Sequence, residues 1–576
     1  FQAEDGIRDL VRSRGLGDVY KRQVPILYFP KYGWVLSGRG SGFLTPQYTT
    51  FNDTATIADP SGNQKTDYST RIPYYFNLAP DRDLLVALKF MTSRNMIYEG
   101  KYRQLIAKKI SPDHQDSIFS FEAKYLPKDK ITDLKRWLVN FSQTLDITDK
   151  VHFSANYYRV SDEDYFKEID RANTDQKTLD SKLALSYTDE KENLSVSLLS
   201  EDEQIVNSGS PSYTKNLEGS ISKTFNAKTN MPVQAGFVST NFAHDTKSKT
   251  AGIRTHGNLG ISRTLNIKYP KITPSASVAI TKYSLKNNPN INRSILGSGL
   301  VIDFSFNNST KIFDYKVNNR ISPLITYNYR AKKVQGNIPI FDSIDKYDDI
   351  ITFADLTSGE RYTGLDRITN ANDITLSLVS TFRAIDAEEE DEALLSFKIA
   401  QSFYTDDEVV SDTADTNYET RKSYSDIAAS IDIGVGKYSI SSNIQFNPDT
   451  SKILKKENKI KYTSSSRKFI SFTFSDENTK KTEQIYGAFP LNNKIHLFGG
   501  RDKTTSTGIT NYQTTGIAYE SCCWALRFAH FRNAAEEGGY NYSTGAELIL
   551  TGLGSTASPL NSKIQRKIPG YRANLN

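Results

Sequence analysis

From about residue 80 onward one rhythm recurs: apolar and polar residues alternate over a strand's length, then break at a polar turn. VHFSANY (151–157) places Val151, Phe153, Ala155 and Tyr157 on one face and His152, Ser154 and Asn156 on the other. KLALSYT sets Leu183, Leu185 and Tyr187 against Lys182, Ser186 and Thr188. LVIDFSFN sets Leu300, Ile302, Phe304 and Phe306 against Asp303, Ser305 and Asn307. WALRFAHF sets Trp524, Leu526 and Phe528 against Ala525, Arg527 and Ala529. A period of two, repeated this often, is the signature of β-strands with one apolar face.

A soluble antiparallel sandwich or a solenoid alternates in the same way. Two features favour a closed barrel. A polar face persists in nearly every strand, which leaves little material for a core shared between two sheets. Polar stretches read as insertions, 287–298 and 384–392, punctuate the strands irregularly, as uneven outer loops do. An open sheet of this size also exposes hazardous edges, which closure removes. Roughly 510 residues at ~20 per strand and turn give on the order of 25 strands, inside the range of outer-membrane barrels.

Composition agrees. Among 576 residues there are 33 Tyr and 30 Phe, but only 3 Trp and 3 Met. The mean hydropathy is −0.51, and no run approaches the ~18 apolar residues of a spanning helix. A helical membrane protein is excluded. The only helical candidate inside the strands is DYFKEIDRA (164–172), and no domain linker is visible within 41–555.

The net charge of +6, from 72 basic and 66 acidic residues, is small for a nucleic-acid binder, and no basic stripe interleaves with aromatics. The histidines are His114, His152, His244, His256, His496 and His530. None has zinc-site spacing, and no nucleophile elbow or phosphate loop is present. The acidic run Glu388 to Glu392 reads as a solvated loop. No enzyme, cofactor or metal is expected.

Some local features stand apart. Residues 1–23 are rich in Arg, Gly and Asp without alternation, and lack the apolar core of a signal peptide. They read as foreign to the chain, with the true N-terminus missing. Pro46 lies inside SGFLTPQY, and Pro73 and Pro80 flank an aromatic strand in RIPYYFNLAP. A proline removes a ladder donor, so it belongs at an edge, a strand start or a bulge. The tail 562–576 is basic, lacks alternation and is expected to be a flexible terminus or a contact for lipid phosphates or a plug. The only cysteines, Cys522 and Cys523, are adjacent.

Five stretches, in order, resemble the LptD family of lipopolysaccharide-assembly proteins. VPILYFPKYGWVLSGRGSGFLTP (24–46) is similar to that family's junction between periplasmic domain and barrel. IPYYFNLAPDRD (72–83) is similar to its P-Y-Y-W-N-I-A-P segment, with Phe76 where Trp is common. RVSDEDYFKEID (159–170) resembles its V-S-D-x-x-Y-F motif, RYTGLDRITNAND (361–373) its Y-G-G-L-D-R segment, and ESCCWALRFAHF (520–531) its paired-cysteine strand.

The resemblance implies an all-β fold: a transmembrane antiparallel β-barrel of about 26 strands in the outer membrane, its lumen wet. The periplasmic jellyroll domain is missing. On this reading 24–40 is a remnant of the junction, 41–555 the barrel and 556–576 a C-terminal tail. It further implies a translocon that moves lipopolysaccharide into the outer leaflet through a lateral gate between the first and last strands. An LptE-type lipoprotein plug and an LptA-type periplasmic bridge are the implied partners. Pro46 and Pro73 match the prolines that the family places in its first two strands, at the gate. The stretch between them, roughly 51–70, departs from the family as an insertion and leaves the first hairpin's register open. Cys522 and Cys523 match cysteines that bond to partners further upstream. Those partners are absent here, so both are expected as free thiols. Arg39, Arg71 and Lys89 are candidate phosphate contacts near the gate. Another outer-membrane transporter or porin, and a soluble β-rich binding protein, are the alternatives.

Overall fold

The computed structural model describes residues 40–52, 66–107, 117–170, 176–207, 211–265, 267–312, 315–348, 350–384, 393–406, 423–477, 480–521, 524–535, 538–550 and 559–572. Its strands form one antiparallel sheet that closes on itself. Two of the 28 strand segments continue a neighbour across a short interruption, which leaves a 26-stranded barrel.

In chain order the strands are β1 (Gly42–Phe43, resumed at Gln47–Asn52), β2 (Thr66–Ala79), β3 (Arg82–Met91), β4 (Asn95–Ala107), β5 (Ser117–Leu126), β6 (Arg136–Thr148), β7 (Val151–Val160), β8 (Thr178–Asp189) and β9 (Leu194–Ile205). They continue as β10 (Thr214–Phe225), β11 (Val233–Ala243), β12 (Gly252–Ser262), β13 (Lys271–Leu285), β14 (Ile291–Asp303, resumed at Phe306–Ile312), β15 (Tyr315–Arg330), β16 (Ala371–Ala384), β17 (Ala393–Tyr404) and β18 (Ile427–Val435). The last are β19 (Tyr438–Asn447), β20 (Lys452–Ser465), β21 (Lys468–Glu477), β22 (Lys480–Pro490), β23 (Ile495–Thr504), β24 (Ile509–Glu520), β25 (Trp524–Ala534) and β26 (Tyr540–Leu550). Each pairs with its sequence neighbours, and β26 returns to β1. With an even number of strands, β1 begins and β26 ends at the same rim, here called the terminal rim.

The alternation decides which face is which. On β25, Leu526 is 45% exposed and Phe528 47%, whereas Ala525, Arg527 and Ala529 are 0%. The exposed apolar set continues around the sheet in Leu88, Leu183, Leu259, Ile470 and Leu548. A continuous apolar outside with a polar inside is the pattern of a membrane-spanning barrel. Among the described residues no helix is long and apolar enough to cross a membrane.

One sequence expectation fails here. The stretch 287–298 is not an insertion: it becomes strand from Ile291 onward, paired with β13. Its outward residues near the far rim include Asn292 and Ser294, and inward Arg293 is buried by loop contacts. The apolar–polar rhythm is therefore lost where the strand is intact. The acidic run within 384–392 falls almost entirely outside the described residues.

The lumen is partly filled by the chain itself. Between β7 and β8, Phe166–Asp170 forms a short π-helical turn, where a short helix or turn is expected from DYFKEIDRA. Tyr165, Phe166 and Ile169 bury themselves against inward Met91, Ile97, Leu138 and Leu179. The connection between β15 and β16 carries α1 (Phe353–Ser358), started by a Thr352–Asp355 capping box. Its Ile338 and Phe341 pack on inward Phe242 and Tyr283. After β26, α2 (Pro559–Lys567) turns back against the inner wall.

Candidate functional site

The barrel closes where Gln47–Asn52 of β1 pairs with Tyr542–Glu547 of β26. Among the described residues six pairs close this seam, against 11 between β25 and β26. Shortness alone does not single it out, because β7–β8 and β17–β18 also share six. What distinguishes the seam is how β1 is held on its other edge.

There β1 pairs Gly42 with Tyr75 and Phe43 with Tyr74, then Gln47 with Arg71 through Asn52 with Thr66. Four steps along β1 match three along β2, so β1 carries an extra residue at 44–46. Pro46 sits in this bulge, where a missing donor is most easily accommodated. Opposite it, Leu44 donates its N–H to the Pro73 carbonyl at 2.9 Å. A strand residue points both backbone groups to the same edge, and a hydrogen-bonded antiparallel pair exchanges two bonds. Pro73 has no N–H to return, so this pair is half made. The register also settles the first hairpin: strand extends through Asn52 and resumes at Thr66, and the rest of the 51–70 stretch lies outside the described residues.

Directly behind the seam lies a cavity of about 210 Å³, walled by β1 to β5 on one side and β25, β26 and α2 on the other. Its lining includes six cations, Arg71, Lys89, Lys101, Arg103, Lys124 and Lys563, and four carboxylates, Asp67, Glu99, Glu122 and Asp170. The charges are interlocked. Arg71 binds Glu99 at 2.6 Å, Lys124 binds Asp170 at 3.2 Å, and Arg103 forks onto Asp83 at 2.9 and 3.0 Å. Lys89 donates to the Ile169 carbonyl at 3.3 Å, so the π-helical turn forms part of the cavity's roof. Burial opposes ionisation of Asp170, but Lys124, Lys89 and Arg566 outweigh it and hold its carboxyl below the usual range.

A second charge cluster holds the β15–β16 connection inside the barrel. Asp366 accepts the N–H groups of Phe341 and Asp342 at 2.7 and 2.9 Å, Arg254 at 2.9 Å and the Tyr283 hydroxyl at 3.2 Å. Arg254 also forks onto Asp342 at 2.6 and 2.7 Å. Arg293 donates to the carbonyls of Leu365 and Asp366. Gly364 lies at φ +65°, and a Cβ there would stand 2.3 Å from Asp342 Oδ1. The TGLDR stretch therefore needs its glycine for backbone conformation and for space.

The tail was expected to be a flexible terminus or a contact for lipid phosphates or a plug; its described part includes a helix docked on the inner wall, with Lys563 lining the cavity behind the seam. Leu560, Ile564, Ile568 and Tyr571 pack on inward Phe469, Phe498, Ala518 and Phe531. Lys563 donates to Ser543 at 2.8 Å, and the Tyr571 hydroxyl meets His496 Nε2 at 2.7 Å. The spacing i, i+4, i+8 of Leu560, Ile564 and Ile568 behind Pro559 was the readable signal for this helix. The basic residues between them obscured it.

Of the sequence candidates, Pro73 is the partner of Leu44 in the half-made pair, Pro46 lies in the bulge beside it, and Arg71 and Lys89 line the cavity. Arg39 lies outside the described residues, as do Cys522 and Cys523. On either side of the cysteines, Ser521 donates its N–H to the Trp524 carbonyl at 2.9 Å. Among the described residues no group of His, Cys, Asp or Glu is arranged to hold a metal.

A closed barrel of this size with an apolar outside and a charged lumen defines an outer-membrane β-barrel protein. A family model described as LptD, LPS transport system D, matches residues 135–500, more than half of the chain. The chain belongs to that family. It is similar to the LPS-assembly protein LptD of Shewanella frigidimarina (strain NCIMB 400), 27% identical over 547 residues, covering 88% of this chain and 66% of that one. It is 24% identical over 583 residues to the LPS-assembly protein LptD of Idiomarina loihiensis, covering 95% of this chain and 72% of that one. This chain thus spans 66% of the length of the first relative. Among solved structures, the siderophore receptor PirA from Pseudomonas aeruginosa aligns over 89% of this chain and 80% of its own, with a TM-score of 0.31 and 8% identity. That likeness is too low to carry an argument.

Proposed function

We propose that this chain is the barrel of an outer-membrane translocon that delivers lipopolysaccharide to the outer leaflet through a lateral gate between β1 and β26. The observation that carries the reading is the half-made Leu44–Pro73 pair beside a six-residue seam, with a charged cavity immediately behind it. A lipid with a long sugar needs a wet path for the sugar and a hydrocarbon path for its tails. A seam that parts supplies both, and avoids exposing each CH₂ to water at about 0.8 kcal/mol. The cations in excess over carboxylates around the cavity suit the phosphates of such a lipid. Arg71 and Lys89 stand at that point in the wall. Nothing in this scheme breaks a covalent bond, so the activity is transport. An LptE-type plug and an LptA-type bridge are partners of this function, the bridge through a jellyroll domain upstream of the barrel. Paired to upstream cysteines, Cys522 and Cys523 would tie such a domain to the terminal rim.

The test is a disulfide across the seam. Thr50 lies opposite Thr544, and Thr50→Cys with Thr544→Cys joins the two strands. Oxidised protein is expected to stop delivering lipopolysaccharide to the cell surface, and reduction is expected to restore delivery. Unimpaired delivery by fully cross-linked protein would end the lateral-gate reading.

A further inference from the structure

We infer that the seam is asymmetric: β26 is a fixed post, held in place by α2, and β1 is the strand that moves. The inference rests on the gate reading for its purpose, but not for its test. The buried apolar packing of α2 lies on the β21 to β26 side. Its apolar residues cover inward Phe469 on β21, Phe498 on β23 and Phe531 on β25. On β26 itself the fit is tight: a Cβ on Gly545 would stand 2.7 Å from Leu560 Cδ1. Ser543, one step along the same inward face, receives Lys563. Glu547, the last β26 residue paired to β1, is held from behind by Arg527, which also reaches Glu520, at 3.5 Å in each case. One helix and one buried guanidinium thus tie β26 to the strands that precede it.

β1 is held differently: Phe51 is buried on its inner face and Gln47 accepts from Arg71 at 3.4 Å, but its second ladder is interrupted. Its ladder to β2 is bulged at Pro46 and lacks the return bond at Pro73. Its inner cluster is Leu44 with Tyr75 and Leu85. When the six seam bonds break, the strand with the interrupted second ladder is the one free to leave. Leu560, Ile564 and Gly545 are therefore positioning residues: they set which jamb of the opening stays still. Leu560 and Lys563 also line the cavity, so the fixed post contributes one wall of the space that cargo must enter.

The experiment is residue-resolved amide exchange on the purified full chain in detergent, without lipopolysaccharide. In the unmodified protein, β1 amides bonded to β2 are expected to exchange at least about tenfold faster than β26 amides bonded to β25. Equal protection on the two sides would overturn the asymmetry. Leu560→Asp with Ile564→Asp places charges in the apolar contact and should undock α2, which the helix's own amides report. Protection between β25 and β26 is then expected to fall by about tenfold or more, while the six-pair β17–β18 ladder stays unchanged. Ile564→Val should behave as the parent. Gly545→Val supplies a second route with the helix sequence intact. Valine alone favours a strand, so faster exchange of β26 in that variant isolates the lost fit to Leu560. If β26 stays protected with α2 undocked, or β17–β18 loosens equally, α2 is not the post's support. None of these readings depends on export, so the gate and the asymmetry fail separately.

Discussion

Leu44 gives its N–H to the carbonyl of Pro73 and receives nothing back from it. Replacing Pro73 by alanine supplies the missing donor on the edge that faces β1. A backbone hydrogen bond contributes about 0.5–1.5 kcal/mol net in water, and more where lipid offers no other partner. Pro73→Ala is expected to slow amide exchange at Leu44 and to lower the rate of lipopolysaccharide delivery at unchanged protein level. Faster exchange at Leu44 would show that the proline's rigidity, and not its missing donor, governs this edge.

Asp366 is the hub of the β15–β16 connection, accepting from the N–H groups of Phe341 and Asp342, from Arg254 and from the Tyr283 hydroxyl. Asp366→Asn keeps the shape but removes the charge facing Arg254 and points an amide donor at others. Breaking one member of a buried charge network typically costs about 3–5 kcal/mol. Part of that is spared, since Arg254 keeps its fork onto Asp342. The expected outcome is new protease cleavage within 331–370, with the barrel still heat-resistant on electrophoresis.

Asp170 gives the π-helical turn a pH dependence of known sign. Its folded value lies below its unfolded value, because Lys124, Lys89 and Arg566 favour the carboxylate despite burial. The stabilisation is complete above the ordinary carboxylate range, about pH 4, and is lost as pH falls through the lower folded value. Exchange at Tyr165 to Ile169 is expected to be flat from neutral pH down to about 5, after correction for intrinsic rate, and to rise in stronger acid. Asp170→Asn should remove that acid step.

Tyr571→Phe retains the ring that packs 4.9 Å from Phe498 but loses the hydroxyl bond to His496. A buried polar partner left unsatisfied costs about 1–3 kcal/mol. The α2 amides are expected to exchange faster in this variant, with smaller changes at β26 than the double aspartate produces. Unchanged α2 exchange would mean that the apolar residues alone dock the helix.

The strands were legible because alternation is a local code: Trp524, Leu526 and Phe528 face outward as their spacing requires. It failed at Asn292 to Ser294, where a strand near the rim carries polar residues outside and Arg293 is recruited inward by a loop. Motif order led to the closing strands and to the two prolines. It did not show that Pro73's absent donor faces β1 and not β3, which depends on register. The cavity could not be read from the chain at all, since its contacts join residues as far apart as Lys89 and Ile169. The docking of the tail was not read because Lys563, Arg566 and Lys567 dominate its composition, while four apolar residues at helical spacing determine where it goes.

The buried apolar partners of α2 come from the stretch beginning at Phe469. The helix can consequently settle on its own hexad of strands without waiting for the first twenty to be laid down. During assembly the C-terminal strand would then reach the point of closure already buttressed, and the ladder left to be completed last is the short one to β1.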